Sequence, residues 1–245
     1  MGPRYSAVAY WGPRPQSPEA CVAPFLRMLE ALSAIDPVFG NWTFLGPTKG
    51  TPLAPLGKDD IARLIAEGVS REDDGTPFPQ AGYQFGASNG RKRTGRGVKV
   101  RIHAGTSFAA NYLINLAHLM TEPLDEANAS LINLKILRPA MLALASAWDT
   151  TWCQVSPWGI EALETQPRPR RPLLGLAWMT YISPRFAPMV TPPRSAIVER
   201  LPDGALLMIA TEDRFDATNP AHLAVARDIE AALAPINALP WPPDA

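Results

Sequence analysis

Apolar and polar positions change their spacing several times along this chain, and each change predicts an element. Residues 5–11 form a short, partly aromatic apolar run that Gly12 interrupts, which is typical of a strand. A helix is predicted next, because Ser17 can cap its first turn, Pro18 fits its first position, and apolar residues then recur every three or four positions. Asp36, which a proline follows, should end that helix.

A second helix and then a group of strands should follow. The helix should begin at Asp59 or Asp60 and close near Gly68. Between Gly82 and His118 the apolar residues alternate with smaller or polar ones, which predicts three strands joined as an antiparallel meander. The apolar positions that define these strands are Tyr83, Phe85, Val98, Val100, Ile102, Tyr112, Ile114 and Leu116.

The C-terminal half combines a long helix, further strands and a closing helix. Residues 131–148 have a helical pattern whose apolar face should cover the sheet, with Pro139 either kinking the helix or marking its start. The sequence Leu-Pro-Asp-Gly at residues 201–204 predicts a hairpin turn. Asn219 and the proline after it should open an amphipathic helix, and the tail after Ala234 should be frayed. Four strands are expected at residues 150–155, 174–183, 195–200 and 204–210.

These elements indicate one fold class. Strands outnumber helices, turns between strands are short, and the helices are amphipathic. We therefore predict an α+β fold, a mostly antiparallel twisted sheet with helices packed on it. A chain of 245 residues with 47% hydrophobic residues can bury the core of a single domain. That domain should span residues 1–245, with a Pro-rich tail from about residue 235.

Charge is balanced overall but unevenly distributed. The 23 basic and 23 acidic side chains give a net charge of zero, which argues against a dedicated nucleic-acid binder. Residues 81–138 nevertheless hold eight basic and three acidic side chains, whereas residues 201–245 hold two basic and seven acidic. This segregation predicts surface patches of opposite sign.

The sequence predicts a cytoplasmic protein. It contains no run of about 18 apolar residues. It also lacks a basic region followed by an apolar stretch, so neither a membrane span nor secretion is expected. Cys21 and Cys153 match no metal-ligand spacing and suit a reducing compartment as core thiols.

One motif points to a hydrolase. Residues 86–90, Gly-Ala-Ser-Asn-Gly, match the nucleophile elbow that exposes a serine on a strand-to-helix turn. The following residues are basic and rich in glycine, so we favour a hairpin turn and keep catalysis by Ser88 as the alternative. The basic run at residues 91–96 is interpreted as the solvated tip of that hairpin, with phosphate binding as the alternative.

A carboxylate cluster is a second candidate for chemistry. Glu212, Asp213 and Asp216 lie just beyond a predicted strand, where carboxylates can bind metal or act as acid and base. They also precede a helix whose dipole they complement. The chain has three histidines, none spaced like a helical metal pair, and no Gly-rich phosphate loop followed by Lys and Ser or Thr. We expect no metal, cofactor or catalytic site, and keep a metal-dependent enzyme at this cluster as an alternative.

Four blocks of sequence carry a family resemblance. They are Ala9-Tyr-Trp-Gly-Pro-Arg14, Ala147-Trp-Asp149, Leu176-Ala-Trp-Met-Thr-Tyr-Ile-Ser183 and Thr211-Glu-Asp-Arg-Phe-Asp-Ala-Thr-Asn-Pro-Ala-His222. Together and in this order they resemble the immunity protein 52 family of bacterial polymorphic toxin and type VI secretion systems, and they span nearly the whole chain. The chain departs from the family pattern at residues 85–90, where a Trp-Asn-Gly turn is more usual. Partner specificity is expected at that departure.

The resemblance implies a binding protein and offers no catalytic residues. Such a protein is encoded beside a toxin, commonly one with a restriction-endonuclease-like domain, and neutralises it in the producing or sister cell. A nuclease should present a basic cleft to DNA, so acidic side chains are expected to meet it. The toxin-binding residues predicted on this basis are Glu72, Asp73, Asp74, Glu212, Asp213 and Asp216. A cognate toxin is the expected partner, nucleic acid and membrane are not, and the oligomeric state stays open.

Overall fold

The computed structural model describes residues 2–46, 50–108, 114–163 and 174–240. Within these ranges the chain forms ten strands and five α-helices. The strands are β1 Tyr5–Trp11, β2 Thr43–Leu45, β3 Thr51–Pro52, β4 Ala81–Ser88, β5 Val98–Thr106, β6 Asn115–Thr121, β7 Trp152–Pro157, β8 Met179–Ile182, β9 Ile197–Arg200 and β10 Leu206–Ile209. The helices are α1 Pro18–Ile35, α2 Lys58–Glu67, α3 Leu134–Trp148, α4 Pro220–Ala232 and α5 Ala234–Asn237.

All ten strands belong to one sheet, in the order β3-β2-β4-β5-β6-β1-β7-β8-β10-β9. Each pairing between neighbours is antiparallel. The predicted meander is present as β4, β5 and β6, and the N-terminal strand β1 then lies between β6 and β7. The α+β prediction is therefore confirmed.

The first face of the sheet is covered by α1, α2 and α3. Cross-strand partners point to the same face, so their burial can be followed from strand to strand. One row on this face consists of Val100, Leu119, Ala7, Val155 and Met179, from β5 to β8, and each is at most 1% exposed. Trp11 of β1 also stacks on Trp148 of α3, with ring centroids 5.1 Å apart.

The second face is covered at one side only. The row that crosses it consists of Arg101, His118, Val8, Gln154, Thr180 and Met208, from β5 to β10. Arg101 is exposed, whereas Thr180 and Met208 are 0% exposed. Helix α5 contributes to the covered side, since Asn237 exchanges hydrogen bonds with the backbone of Leu174 in the segment before β8. The side formed by β4, β5, β6 and β1 stays open.

The local signals at helix ends and turns act as predicted. Ser17 Oγ accepts a hydrogen bond from the Ala20 amide at 3.3 Å, and Asn219 Oδ1 accepts one from the Ala221 amide at 2.9 Å. These caps satisfy amides that the first turn of a helix leaves unpaired. In the turn at residues 201–204, the Gly204 amide donates to the Leu201 carbonyl at 2.9 Å.

Strands β2 and β3 were not predicted, and two predicted strands have other bounds. Strand β6 begins only at Asn115, and burial falls on its odd-numbered positions, so Leu116 lies on the half-open second face. Tyr112, which was expected to share a face with Leu116, lies outside the described residues. Strand β8 occupies only four residues of the predicted segment 174–183, because the Gln154 side chain exchanges hydrogen bonds with the Gly175 backbone and holds the earlier part away from the ladder.

Three helices also differ. Helix α2 begins at Lys58, because the Asp60 carboxylate accepts a hydrogen bond from the Gly57 amide at 3.2 Å and leaves Gly57 as the cap. Helix α3 begins at Leu134, so Pro139 lies inside it and does not mark its start. The first part of the tail expected to fray instead forms α5, in which Ile236 is buried, and residues 241–245 lie outside the described residues.

Candidate functional site

The acidic bend, residues 211–218 between β10 and α4, is fixed to the sheet through its backbone. The Trp178 indole donates to the Thr211 carbonyl at 2.9 Å, and the Tyr5 hydroxyl donates to the Phe215 carbonyl at 2.5 Å. The Phe215 side chain is itself fully buried. One buried ring and two hydrogen bonds therefore define the course of the bend.

The three carboxylates of the acidic bend have different roles. The side chains of Glu212 and Asp213 are exposed and form no bond with the described part of the chain. Asp216 is also exposed, but its Oδ1 accepts hydrogen bonds from the Thr218 amide and hydroxyl, each at 2.8 Å. These two bonds hold the pKa of Asp216 below its usual range. Asp216 thus orders the turn, and Glu212 and Asp213 remain in solvent.

The other predicted acidic residues lie in the acidic hairpin, residues 71–77 between α2 and β4. Glu72, Asp73 and Asp74 are all exposed. Asp74 Oδ1 accepts a hydrogen bond from the Thr76 amide at 2.8 Å, which is the largest cause that lowers the pKa of Asp74. As in the bend, one carboxylate orders the turn and two face solvent.

The structure does not bring the two acidic segments together. The bend lies where β1 begins, since the Tyr5 hydroxyl bonds to it. The hairpin precedes Ala81, which pairs with Thr106 where β1 ends, because the Arg14 amide donates to the Thr106 carbonyl at 2.9 Å. In the sheet order β4 and β10 are also separated by six strand spacings, roughly 30 Å at about 4.8 Å each. The two acidic segments therefore do not form a single compact patch.

Ser88 lies in a hairpin turn. It is the last residue of β4, and its Oγ accepts a hydrogen bond from the Gly90 amide at 3.2 Å. Residues 91–94 form a 3₁₀ turn and not an α-helix. The Asn89 carboxamide closes the loop by accepting a hydrogen bond from the Val98 amide at 2.9 Å. The strand-to-helix setting that a nucleophile elbow requires is therefore missing at this motif.

The described ranges contain no group of three or more His, Cys, Asp or Glu side chains arranged to hold a metal ion. Within those ranges, too, no helix is long and apolar enough to cross a bilayer. Both cysteines are buried free thiols. Burial raises the pKa of Cys21 to about 12, which keeps this thiol protonated and unreactive.

The open part of the second face forms a groove that the sequence analysis missed. This basic groove is lined by Arg4, Lys99, Arg101, His118 and Trp158. Two cavities of about 340 and 740 Å³ lie along it, and Lys99 borders both. Gly86 pairs with Arg101 and adds no side chain, which leaves room beside the guanidinium. The departure from the family pattern at residues 85–90 thus adjoins the groove.

Three cations of the basic groove have no acidic partner. Arg4, Lys99 and Arg101 form no salt bridge with any described carboxylate. Glu67 and Glu122 border the cavities without pairing to them. The groove therefore has an excess of positive charge that the described part of the protein does not neutralise.

An aromatic platform lies beside these cations. Trp158 is 59% exposed, and its ring lies over His118 with centroids 6.3 Å apart. The Nε2 atom of His118 is buried and has no hydrogen-bond partner in the described chain. Burial, and then the guanidinium of Arg101, lower the pKa of His118 to about 4, so the imidazole is neutral at pH 7.

A signal for the groove was present in the sequence. Lys99, Arg101 and His103 alternate with the buried residues of β5, so a period of two places all three on one face. The strand prediction rests only on the apolar half of that alternation. Whether a helix covers the polar half depends on where α4 and α5 pack, which periodicity does not encode.

Three of the four blocks that carry the family resemblance include residues that hold the scaffold together. The Arg14 guanidinium donates to the carbonyls of Trp148 and Asp149, at 2.9 and 3.0 Å, and so caps the end of α3. Trp178, from the third block, anchors the acidic bend. The fourth block forms that bend and the start of α4. Scaffold residues therefore account for most of the resemblance, and the exposed charge of the four blocks is concentrated in the bend, with Asp149 of the second block also exposed.

Comparison with known proteins agrees with the family resemblance. The sequence pattern of immunity protein 52 matches residues 3–239. Among solved structures, Pseudomonas aeruginosa T6SS protein PA0821 is similar with a TM-score of 0.52 and 12% identity, covering 94% of this chain and 77% of that chain. At this identity the likeness concerns the fold alone. No curated protein matches the chain. Because the family pattern extends over nearly all of its length, the chain belongs to the immunity protein 52 family.

Proposed function

We propose that this protein binds a cognate antibacterial toxin and neutralises it, protecting the cell that makes it and its sister cells. The observation that carries the proposal is the match of immunity protein 52 to residues 3–239. The T6SS protein of similar fold supports a toxin delivered by type VI secretion. Inhibition by stoichiometric binding needs an ordered, exposed surface and no catalytic group.

The toxin in this proposal is a nuclease with a restriction-endonuclease-like domain, which the immunity protein meets in the cytoplasm. A nuclease positions DNA with cationic side chains, so its cleft attracts carboxylates. Carboxylates of the immunity protein then stand in for phosphates and form charge-assisted hydrogen bonds with Arg or Lys. Such contacts also steer the encounter and favour the correct partner.

Of the two acidic segments, the acidic bend is the better toxin contact. Glu212 and Asp213 project from a backbone that Tyr5 and Trp178 hold in place, so little conformational entropy is lost when a partner binds. Asp216 contributes by ordering the turn. The acidic hairpin at Glu72, Asp73 and Asp74 is the second candidate, and its distance from the bend lets each segment be tested alone.

The test uses the toxin domain encoded next to this chain's gene, made inactive by substitution in its nuclease site. We expect the two proteins to co-purify, and expression of the immunity protein to rescue cells that express the active toxin. Ser88→Ala should rescue equally well, because no catalysis by Ser88 is involved. Failure of the wild-type protein to bind this domain and to protect cells contradicts the proposal.

Charge reversal locates the contact. Glu212→Lys/Asp213→Lys should weaken toxin binding by about tenfold or more, since each lost charge-assisted bond costs about 1.5–3 kcal/mol. Glu72→Lys/Asp73→Lys makes the same change of charge at the other end of the sheet and should alter affinity by less than about twofold. Titration calorimetry measures both. The opposite ranking moves the contact to the hairpin, and unchanged affinity in both variants rules out both acidic segments.

A further inference from the structure

A groove with unpaired positive charge calls for a partner of opposite charge. The side chains of Arg4, Lys99 and Arg101 lie along one open sheet face without any described counter-ion. Cations held close together repel one another, and a bound carboxylate relieves that repulsion. The exposed Trp158 ring adds a flat apolar surface at the same place.

We propose that the basic groove docks an acidic, extended segment of the toxin, one that places an apolar or aromatic side chain on Trp158. This inference rests on the proposed function and names a second contact for the same partner. Carboxylates of the segment pair with Lys99 and Arg101, and the cavities of about 340 and 740 Å³ accommodate its side chains. The groove floor is sheet, so it is rigid before binding.

The basic groove and the acidic bend lie at the same end of the sheet. The Trp158 amide donates to the Arg4 carbonyl at 2.6 Å, and the next residue, Tyr5, bonds to the bend through its hydroxyl. Both surfaces therefore lie at the end of the sheet where β1 begins. A partner can touch them together if it presents a basic patch to the bend and an acidic segment to the groove.

This juxtaposition favours a protein over a nucleic acid. Cations beside an exposed aromatic ring also suit single-stranded nucleic acid, whose bases stack on such rings. A polyanion that lies along the groove, however, also meets Glu67 and Glu122, which border its two cavities and repel it. The net charge of zero gives no compensating long-range attraction. A folded protein can alternate the sign of its charge over this distance, and a phosphate backbone cannot.

The test compares charge reversal in the groove with an equal change elsewhere. The groove variant is Lys99→Glu/Arg101→Glu, and the control is Arg194→Glu/Arg227→Glu, which reverses two exposed cations outside the groove. Thermal melting first confirms that both variants fold. The probes are the inactive toxin domain, a fluorescein-labelled peptide of alternating Glu and Trp, the same peptide with Lys for Glu, and labelled oligo-dT.

We expect the groove variant to lose at least about tenfold in affinity for the toxin domain and for the Glu-Trp peptide, while the control variant changes less than about twofold. The Lys-Trp peptide should not bind the wild-type protein. Trp158→Ala should lower the affinity for the toxin domain and for the Glu-Trp peptide severalfold, because the stacking surface is lost.

Other outcomes overturn the inference, and they can be told apart from a failure of the proposed function. If the toxin domain binds the wild-type protein and the groove variant equally well, the protein is an immunity protein whose groove is unused. Oligo-dT binding that requires Lys99 and Arg101, without peptide binding, makes the groove a nucleic-acid surface. Self-association that the groove variant abolishes makes it an interface between copies. If the wild-type protein binds no toxin domain, the proposed function fails, and the peptide alone decides what the groove recognises.

Discussion

His118 lies in surroundings that disfavour a positive charge on its ring. It is half-buried, it pairs with a cationic residue across the strands, and its Nε2 has no described hydrogen-bond partner. Burial and the Arg101 charge both disfavour the imidazolium and lower the pKa of His118 to about 4. The neutral imidazole lies under Trp158, and the two rings stack.

The shifted pKa makes stability depend on pH. In the unfolded chain His118 titrates near 6.5, so between pH 6.5 and 4 the unfolded state binds a proton that the folded state does not. Stability is therefore complete above pH 6.5 and falls as the pH drops to 4. His118→Gln should remove up to about 3 kcal/mol of this decline. Urea unfolding of both proteins from pH 7 to 4.5 measures it. The carboxylates titrate in both proteins, so their contribution cancels in the difference between the wild-type protein and His118→Gln. If the two proteins lose stability in parallel as the pH falls, the prediction is wrong.

At the scale of elements, the periodicity of apolar residues and the helix-capping residues predicted most helices and strands. Ser17 and Asn219 cap helices where the sequence placed them, because capping is local chemistry that a few residues decide. Strand β6 lies later in the chain than predicted, because pairing with its partner strand sets its register and its own apolar residues do not. The basic groove was missed for a related reason, since the packing of distant helices decides which face stays open. Of the predicted contact residues, Glu212 and Asp213 lie at the same end of the sheet as Arg4 and Trp158, whereas Glu72 follows Arg71, which borders the cavity of about 740 Å³.

Two glycines illustrate how local and long-range constraints differ. A Cβ on Gly86 would lie 2.1 Å from the Val100 carbonyl oxygen of the neighbouring strand, so Gly86→Ala must push β4 away from β5. In the 201–204 turn Gly204 has φ of +91°, but a Cβ there meets nothing nearer than Pro184 Cβ at 3.8 Å. Gly204→Ala should therefore cost about 1 kcal/mol of conformational strain, and Gly86→Ala about 3 kcal/mol or more. Denaturant unfolding measures both, and equal losses would contradict the steric argument.

Over the whole molecule the charges are separated although they sum to zero. Strands β4, β5 and β6 lie in the positive part of the sequence, residues 81–138, whereas β10, α4 and α5 lie in the negative part, residues 201–245. The sheet order places these groups on opposite sides of β1, with the basic groove on one side and the acidic bend on the other. Such a molecule orients a partner through its dipole and not through net attraction.

Orientation by separated charges predicts a salt-dependent association rate. Raising the salt concentration from about 0.05 to 0.5 M shortens the Debye length from roughly 14 to 4 Å, so steering over the width of the sheet is lost. Association of the wild-type protein with the inactive toxin domain should slow by about tenfold, with a smaller change in dissociation. Glu212→Lys/Asp213→Lys should flatten this dependence, whereas Arg194→Glu/Arg227→Glu should keep it. Stopped-flow fluorescence resolves the two rates. A wild-type association rate that salt leaves unchanged would show that the charge separation takes no part in finding the partner.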